Sequence, residues 1–319
     1  MSCALAVTGP TASGKTALSI DIARELSLEI ISCDSMQIYR GMDIGTAKAT
    51  KEEREAVSHH LIDFLSPLEC YSAENYRADA MAAVGDIVSR GKTPLFVGGT
   101  GLYIDTLMRQ AAEGSPPSDV DLREKLLKEH TPDELYKRLS EIDPESAEAI
   151  HKNNVKRVVR ALEIYELSGK TKSYFDALSR VSRPEIEIGM ITLDFHNRDN
   201  LYSRVDKRVD QMLDLGLTAE VKELYDNGFL KAGTTASSAI GYKEIIEYIE
   251  GKTTLEGAVE KIKLASRRYA KRQLTWFRHE RDAVRVFVDT EDGELKPYSL
   301  VLSEMLVASR SFLERFTKK

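Results

Sequence analysis

The stretch Gly9-Pro10-Thr11-Ala12-Ser13-Gly14-Lys15-Thr16 decides the fold. It reads G-x-x-x-x-G-K-[ST], the P-loop pattern. Ala4-Leu5-Ala6-Val7 just before it is a short apolar run and predicts a buried strand. Thr16 to Leu26 after it has apolar positions at Leu18, Ile20, Ile22, Ala23 and Leu26 and predicts a helix. Strand, loop and helix in that order is the context the motif requires. Glycines let the backbone curl so that successive N–H groups point inward as an anion nest. The helix N-terminus adds partial positive charge at the same point. Lys15 is placed to reach a terminal phosphate, and Thr16 to offer its hydroxyl to Mg²⁺. The pattern specifies a bound di- or triphosphate but neither the compound nor the reaction.

The chain has 319 residues, room for one large or two ordinary domains. Its 42% hydrophobic and 30% charged content is that of a globular protein with a sizeable core. No run approaches ~18 apolar residues, so no membrane span is expected. The first strand and the P-loop begin at once, so no signal or transit segment is expected. Cys3, Cys33 and Cys70 have neither metal nor disulfide spacing and fit reduced, buried thiols in a cytosolic protein.

A net charge of −6 argues against a general nucleic-acid binder, yet the charge is uneven. Lys261 to Arg281 holds eight basic residues and one acid, and Lys152 to Arg160 holds four basic residues and none. A solvated face normally mixes both signs. The first island falls on one helix, Leu255 to His279, with Ile262, Ala265, Tyr269, Gln273 and Trp276 as its expected buried stripe. Phosphate-backbone binding is the better reading of its charge.

Other segments place polar residues at sheet edges. The strand Glu29-Ile30-Ile31-Ser32-Cys33 runs into Asp34-Ser35-Met36-Gln37, and open α/β sheets bind ligands at the carboxyl ends of their strands. Asp34 is therefore expected near the phosphates rather than as a simple cap. His59-His60 lacks a third metal ligand and reads as core or surface histidines. The strand Pro94-Leu95-Phe96-Val97 ends in Gly98-Gly99-Thr100, where ATP-hydrolysing P-loop proteins carry an acid, and that absence counts against such a machine.

Glu113-Gly114-Ser115-Pro116-Pro117-Ser118 is a linker signal. Helical patterns follow from Val120 to His130, Pro132 to Ile142, Pro144 to His151 and Asn153 to Gly169. The expected organisation is an α/β core of residues 1–112 and 185–319 around an all-helical insertion, 113–184. Later, a helix from Asp199 to Leu215 carries Arg204 and Arg208 at i,i+4, as an anion clamp or in salt bridges to Asp206 or Asp210.

Taken in order, these motifs and Gly45-Thr46-Ala47-Lys48, Gly98 to Tyr103, Lys156 to Glu163, Ala239-Ile240-Gly241-Tyr242 and Arg268 to Arg278 resemble the bacterial tRNA dimethylallyltransferase family. The resemblance runs from the first strand to about Arg278. It implies a P-loop NTPase-like core with a mostly parallel sheet and a helical insertion contacting tRNA. It implies transfer of a dimethylallyl group from dimethylallyl diphosphate, with Mg²⁺. The acceptor is the N6 amine of the adenosine 3′ to the anticodon in tRNAs reading codons that start with U.

By the same resemblance Asp34 is the general base, with Thr100 and Lys15 also catalytic. Gly9, Pro10, Thr11, Ala12, Ser13, Gly14, Lys15, Thr16 and Arg208 bind the diphosphate, and Thr16 holds the metal. Asp34, Ser35, Met36, Gln37 and Thr100 meet the target base, which must leave its stack. Arg123, Lys156, Arg157, Val158, Val159 and Arg160 on the insertion contact tRNA. So do Gly241, Tyr242, Lys243, Lys271, Arg272, Gln273, Trp276 and Arg278 on the core. The chain departs from the pattern at Ser237-Ser238, where many relatives carry a basic residue or Gln. A monomer is expected. Two other readings stay open: a small P-loop kinase, in which the basic helix has no role, and an RNA-binding protein without turnover.

Overall fold

A computed structural model describes residues 2–108, 115–181, 185–280 and 282–317. Glu113, Gly114, Arg183, Pro184 and Arg281, which belong to the expected linker, closing boundary and basic island, lie outside the described residues. The chain divides into two compact units, one of residues 1–105 and 186–319 and one of residues 106–185.

The first unit opens with β1 (Ser2–Thr8), α1 (Lys15–Leu26), β2 (Leu28–Ser32), α2 (Lys51–Ala56), β3 (His59–His60), α3 (Ala73–Ser89) and β4 (Thr93–Gly98). It leaves through α4 (Gly101–Met108). The second unit is all helical: α5 (Val120–Glu129), α6 (Pro132–Ile142), α7 (Pro144–Ala149), α8 (Val155–Ser168) and α9 (Lys172–Val181). The first unit resumes with β5 (Ile186–Asp194), α10 (Arg198–Asp214), α11 (Leu217–Asp226), α12 (Tyr242–Ile249), α13 (Leu255–Arg278), β6 (Val284–Phe287) and α14 (Tyr298–Thr317).

The six strands form one parallel sheet in the order β3-β2-β4-β1-β5-β6. Parallel strands covered on both faces read as unbroken apolar runs, and Ala4, Leu5, Ala6 and Val7 are all fully buried. Leu5, Val7, Leu95, Ile191 and Leu193 pack with Leu18 and Ile22 of α1 and with Met305 and Phe312 of α14. A second apolar cluster joins Ile38, Tyr39 and Met42 to Val209, Leu217, Tyr242, Ile245 and Ile262. It anchors the loop after β2 to the helices α10 to α13.

Of the three cysteines expected to be buried, only Cys33 is; Cys3 is half-buried and Cys70 exposed. His59 and His60 form the short edge strand β3. His60 Nε2 lies 2.8 Å from the buried Glu29 carboxylate, which also takes Arg90 and Lys92. Asp119 caps α5, and Thr131 and Glu134 form a reciprocal capping box ahead of α6, with Pro132 in its first turn. Asn154 starts α8 without a side-chain cap, and Gly169 ends it with positive φ.

Candidate active site

Three loops at the carboxyl ends of β1, β2 and β4 build the site. Gly98 allows the closest approach. A Cβ there would lie 2.0 Å from the Cys33 carbonyl oxygen, so only glycine lets β2 end against the β4 turn. Two bonds fasten that junction: Cys33 N donates to Val97 O (2.7 Å) and Thr100 N to Cys33 O (3.2 Å). Thr100 Oγ1 then accepts from Ser35 N at 3.0 Å and stands 3.4 Å from Ser35 Oγ. Asp34 Oδ1 accepts from Met36 N (2.9 Å) and Gln37 N (3.4 Å), which orients the carboxylate and leaves Oδ2 for a ligand.

A cavity of about 680 Å³ brings the P-loop residues Thr11 to Thr16 together with Asp34, Ser35, Met36 and Gln37. Gly241, Tyr242, Lys243, Arg272 and Gln273 from the expected RNA-contacting set border it too. α10 supplies both polarities. Arg208 comes from one face, and Val205, Val209 and Met212 line the cavity beside it.

The cations converge as an anion site. Arg204 Nε donates to Ala12 O at 2.8 Å and Lys15 Nζ to Pro10 O at 2.6 Å. Arg208 Nε and Ser13 Oγ are buried with no hydrogen-bond partner, and orphaned buried polar atoms beside a cavity suit an absent anion. Lys15 is pushed down to about 7, chiefly by burial and then by the Arg208 charge, with Asp34 acting the other way. Burial also lowers Arg208. The salt-bridge alternative for Arg204 and Arg208 is not what forms: Asp206 is taken by Arg267 and Asp210 by Lys263.

Thr16 stands at the second residue of α1, and the carboxylates among the cavity's described lining residues are Asp34 and Glu53. Among the described residues no cluster of three His, Cys, Asp or Glu could hold a metal by itself. The Thr16 hydroxyl is a hard oxygen donor of the kind that would help hold a Mg²⁺ beside a bound diphosphate.

Several expected RNA contacts are committed elsewhere. Gln273 is held at both ends of its amide: Oε1 accepts from Thr11 N (2.8 Å) and Nε2 donates to Gly99 O (2.9 Å), so it ties the P-loop to the β4 turn. Arg278 grips the buried Asp194 through two nitrogens, because an acid at the end of β5 needs a cation. In the second unit Arg123 and Arg160 both clamp the fully buried Glu163. Val158 and Val159 are core residues there, buried with Leu135 and Leu162.

Tyr242 is buried, and its hydroxyl donates to Glu220 at 2.6 Å. Trp276 is half-buried over Gly101, whose added Cβ would meet the indole at 2.4 Å. Of the expected stripe of α13, Ile262 and Gln273 are buried; the other buried positions are Ala258, Ala270, Leu274 and Phe277, with Ala270 and Phe277 each one residue past the expected Tyr269 and Trp276. Lys156, Arg157, Lys271 and Arg272 remain exposed. Ser237 and Ser238 both donate to Thr234 O, and Ser238 borders the cavity. Tyr269 also lines it, raised by burial and then by the Asp34 charge. Its place in the stripe gave no sign of that.

Residues 37–280 match the family model described as IPP transferase. The chain belongs to the IPP transferase family. It is 46% identical over 276 residues to the tRNA dimethylallyltransferase of Caldanaerobacter subterraneus subsp. tengcongensis, covering 85% of this chain and 87% of that one. The full-length tRNA isopentenylpyrophosphate transferase of Bacillus halodurans matches at TM-score 0.74 and 40% identity, over 100% of this chain and 99% of that one. A eukaryotic dimethylallyltransferase captured acting on tRNA matches at TM-score 0.77 and 31% identity, over 90% and 74%. For an IPP transferase the Gly-Gly-Thr end of β4 has a use: it brings the backbone close to the site without adding an acid. Among the described residues of this member no helix is long and apolar enough to cross a membrane.

Proposed function

We propose that this chain transfers a dimethylallyl group from dimethylallyl diphosphate to the N6 amine of the adenosine 3′ to the anticodon. The acceptors are tRNAs reading codons that begin with U. The observation that carries this reading is one cavity holding both halves of the chemistry, a P-loop cation cluster and an oriented carboxylate, in a member of this family.

The diphosphate lies on the P-loop N–H groups with Lys15 and Arg208, and its hydrocarbon tail runs along Val205, Val209 and Met212. The N6 lone pair attacks the allylic carbon while the bond from that carbon to the diphosphate oxygen breaks. Negative charge builds on the leaving diphosphate, where Lys15, Arg208 and the backbone donors stabilise it without reorganising. Mg²⁺ held by Thr16 would add positive charge on the leaving group. The N6 proton passes to Asp34, whose orientation is set before the base arrives. Ser35 and Gln37 hold the base, and Thr100 holds Ser35. Lys156, Arg157, Lys271 and Arg272 supply exposed positive charge for the tRNA backbone. The protein works as a monomer in the cytoplasm.

Purified protein, Mg²⁺, labelled dimethylallyl diphosphate and unmodified tRNA test this beside Asp34→Ala. Label on the adenosine next to the anticodon, lost in the variant, supports the transfer and the base together. Transfer that survives in the variant removes Asp34 from its role. No transfer by wild type that binds tRNA overturns the reading.

A further inference from the structure

Glu220, on α11, touches neither the P-loop nor Asp34, yet its carboxylate is saturated. Oε2 accepts from Asp43 N (2.9 Å) and Ile44 N (2.7 Å). Oε1 accepts from Gly45 N (3.1 Å) and the Tyr242 hydroxyl (2.6 Å). Three successive backbone N–H groups turned to one point make an anion nest, and here a side chain of the same protein fills it. All four lone-pair directions of the carboxylate are used, and such charge-assisted bonds are about twice as strong as neutral ones.

The nest is closed on a second side. A Cβ on Gly45 would lie 2.5 Å from the Tyr242 ring, so residue 45 must be glycine for the loop to seat. At the loop's far end the buried Lys48 ammonium donates to Tyr39 O at 2.7 Å and pairs with Asp43 and Asp63.

The next two carbonyls of this loop both face one side chain. Gln37 Nε2 donates to Thr46 O (3.3 Å) and Ala47 O (3.2 Å). Two acceptors at one end of an amide fix that end as the NH₂. Ser32 Oγ, 3.4 Å from Gln37 Oε1, agrees with that orientation. Both amide protons are then used, and Gln37, which lines the cavity, has only a lone pair of Oε1 left to offer a base.

We propose that Glu220 is a positioning residue for base recognition. It seats residues 43–47, and through Thr46 and Ala47 it holds the Gln37 amide with its acceptor end available. This rests on the reading of Gln37 as a contact to the target adenine. Without the Glu220 charge the nest loses its anion, the loop carbonyls shift, and the Gln37 amide is free to turn its donor end to the base. The P-loop is untouched, so binding of the diphosphate donor is unaffected.

A double-mutant cycle tests it. Glu220→Ala should raise KM for tRNA about tenfold, the loss of one or two well-placed hydrogen bonds, with KM for dimethylallyl diphosphate within about twofold of wild type. Gln37→Ala should raise KM for tRNA similarly, and adding Glu220→Ala to it should change little further. Tyr242→Phe keeps the ring on Gly45 and removes one donor. It should give a smaller rise in the same direction, again absent on Gln37→Ala, and it serves if Glu220→Ala does not fold. Multiplying effects of the two changes, or an equal rise in KM for the donor, overturn the proposal while the wild type still transfers. A wild type that does not transfer overturns the function itself, and the proposal falls with it.

Discussion

Lys15 should take up a proton when the diphosphate binds. In the free protein its ammonium is pushed down to about 7 by burial and by Arg208. At pH 8 about 0.9 of the side chains are then neutral. A bound diphosphate puts negative charge beside both cations and offsets the burial penalty, so Lys15 returns toward its ordinary range. Binding at pH 8 should therefore absorb about 0.9 proton at this residue. Calorimetric titration with dimethylallyl diphosphate, in buffers of different ionisation enthalpy, measures the uptake. Protonation of the ligand itself is common to wild type and Lys15→Met, so the difference between them isolates the lysine.

The same shift weakens binding as pH rises. Relative to Lys15→Met, the wild-type Kd should climb nearly tenfold per pH unit above about 7 until the bound-state value is reached. Stability runs the other way. The folded protein binds fewer protons at Lys15 than the unfolded chain between about 7 and the usual lysine value of ~10.4, so stability gains from this residue as pH rises through that window. At neutral pH Lys15→Met should be more stable than wild type. Equal proton uptake by the two proteins, or parallel Kd curves, would refute the reasoning.

Three further outcomes are expected. Gln273→Ala removes both bonds between the P-loop and the β4 turn and should weaken donor binding about tenfold, with tRNA affinity unchanged, by direct titration of each ligand. Glu163→Gln strands Arg123 and Arg160 in the helical unit. It should cost about 3 kcal/mol in urea unfolding, the low end of the range because both arginines reach solvent, with hydrogen exchange speeding up first in α5 and α8. Glu29 is held below the usual carboxylate range, first by its hydrogen bond from Arg90. Its stabilisation is complete above the unfolded value of ~4.3 and is lost as pH falls below it. Glu29→Gln should flatten the acid limb of the stability curve, measured by thermal unfolding from pH 5 downward.

The sequence by itself determined whatever is set by near neighbours. Gly9 to Thr16 between an apolar run and a helical one specified the P-loop and its strand. Pro132, Pro144 and Gly169 marked helix ends, because such start and stop signals act over only a few residues. Asp34 and Thr100 were legible as polar residues just past buried strands, which in a parallel sheet lie at the ligand edge.

Only the tertiary structure decided which charges are spent. Arg278 and Arg267 looked alike on one basic helix as phosphate contacts, but Asp194 and Asp206 claim them from strands and helices distant in sequence. Arg123 meets Glu163 across 40 residues and Gln273 meets Thr11 across 262. A buried carboxylate must find a cation and a buried amide its partners, and packing alone selects them. For the same reason Glu220, an ordinary acid on an amphipathic helix, carries no local mark. Its place in the nest of residues 43–45 exists only once α11 and α12 pack against the loop after β2.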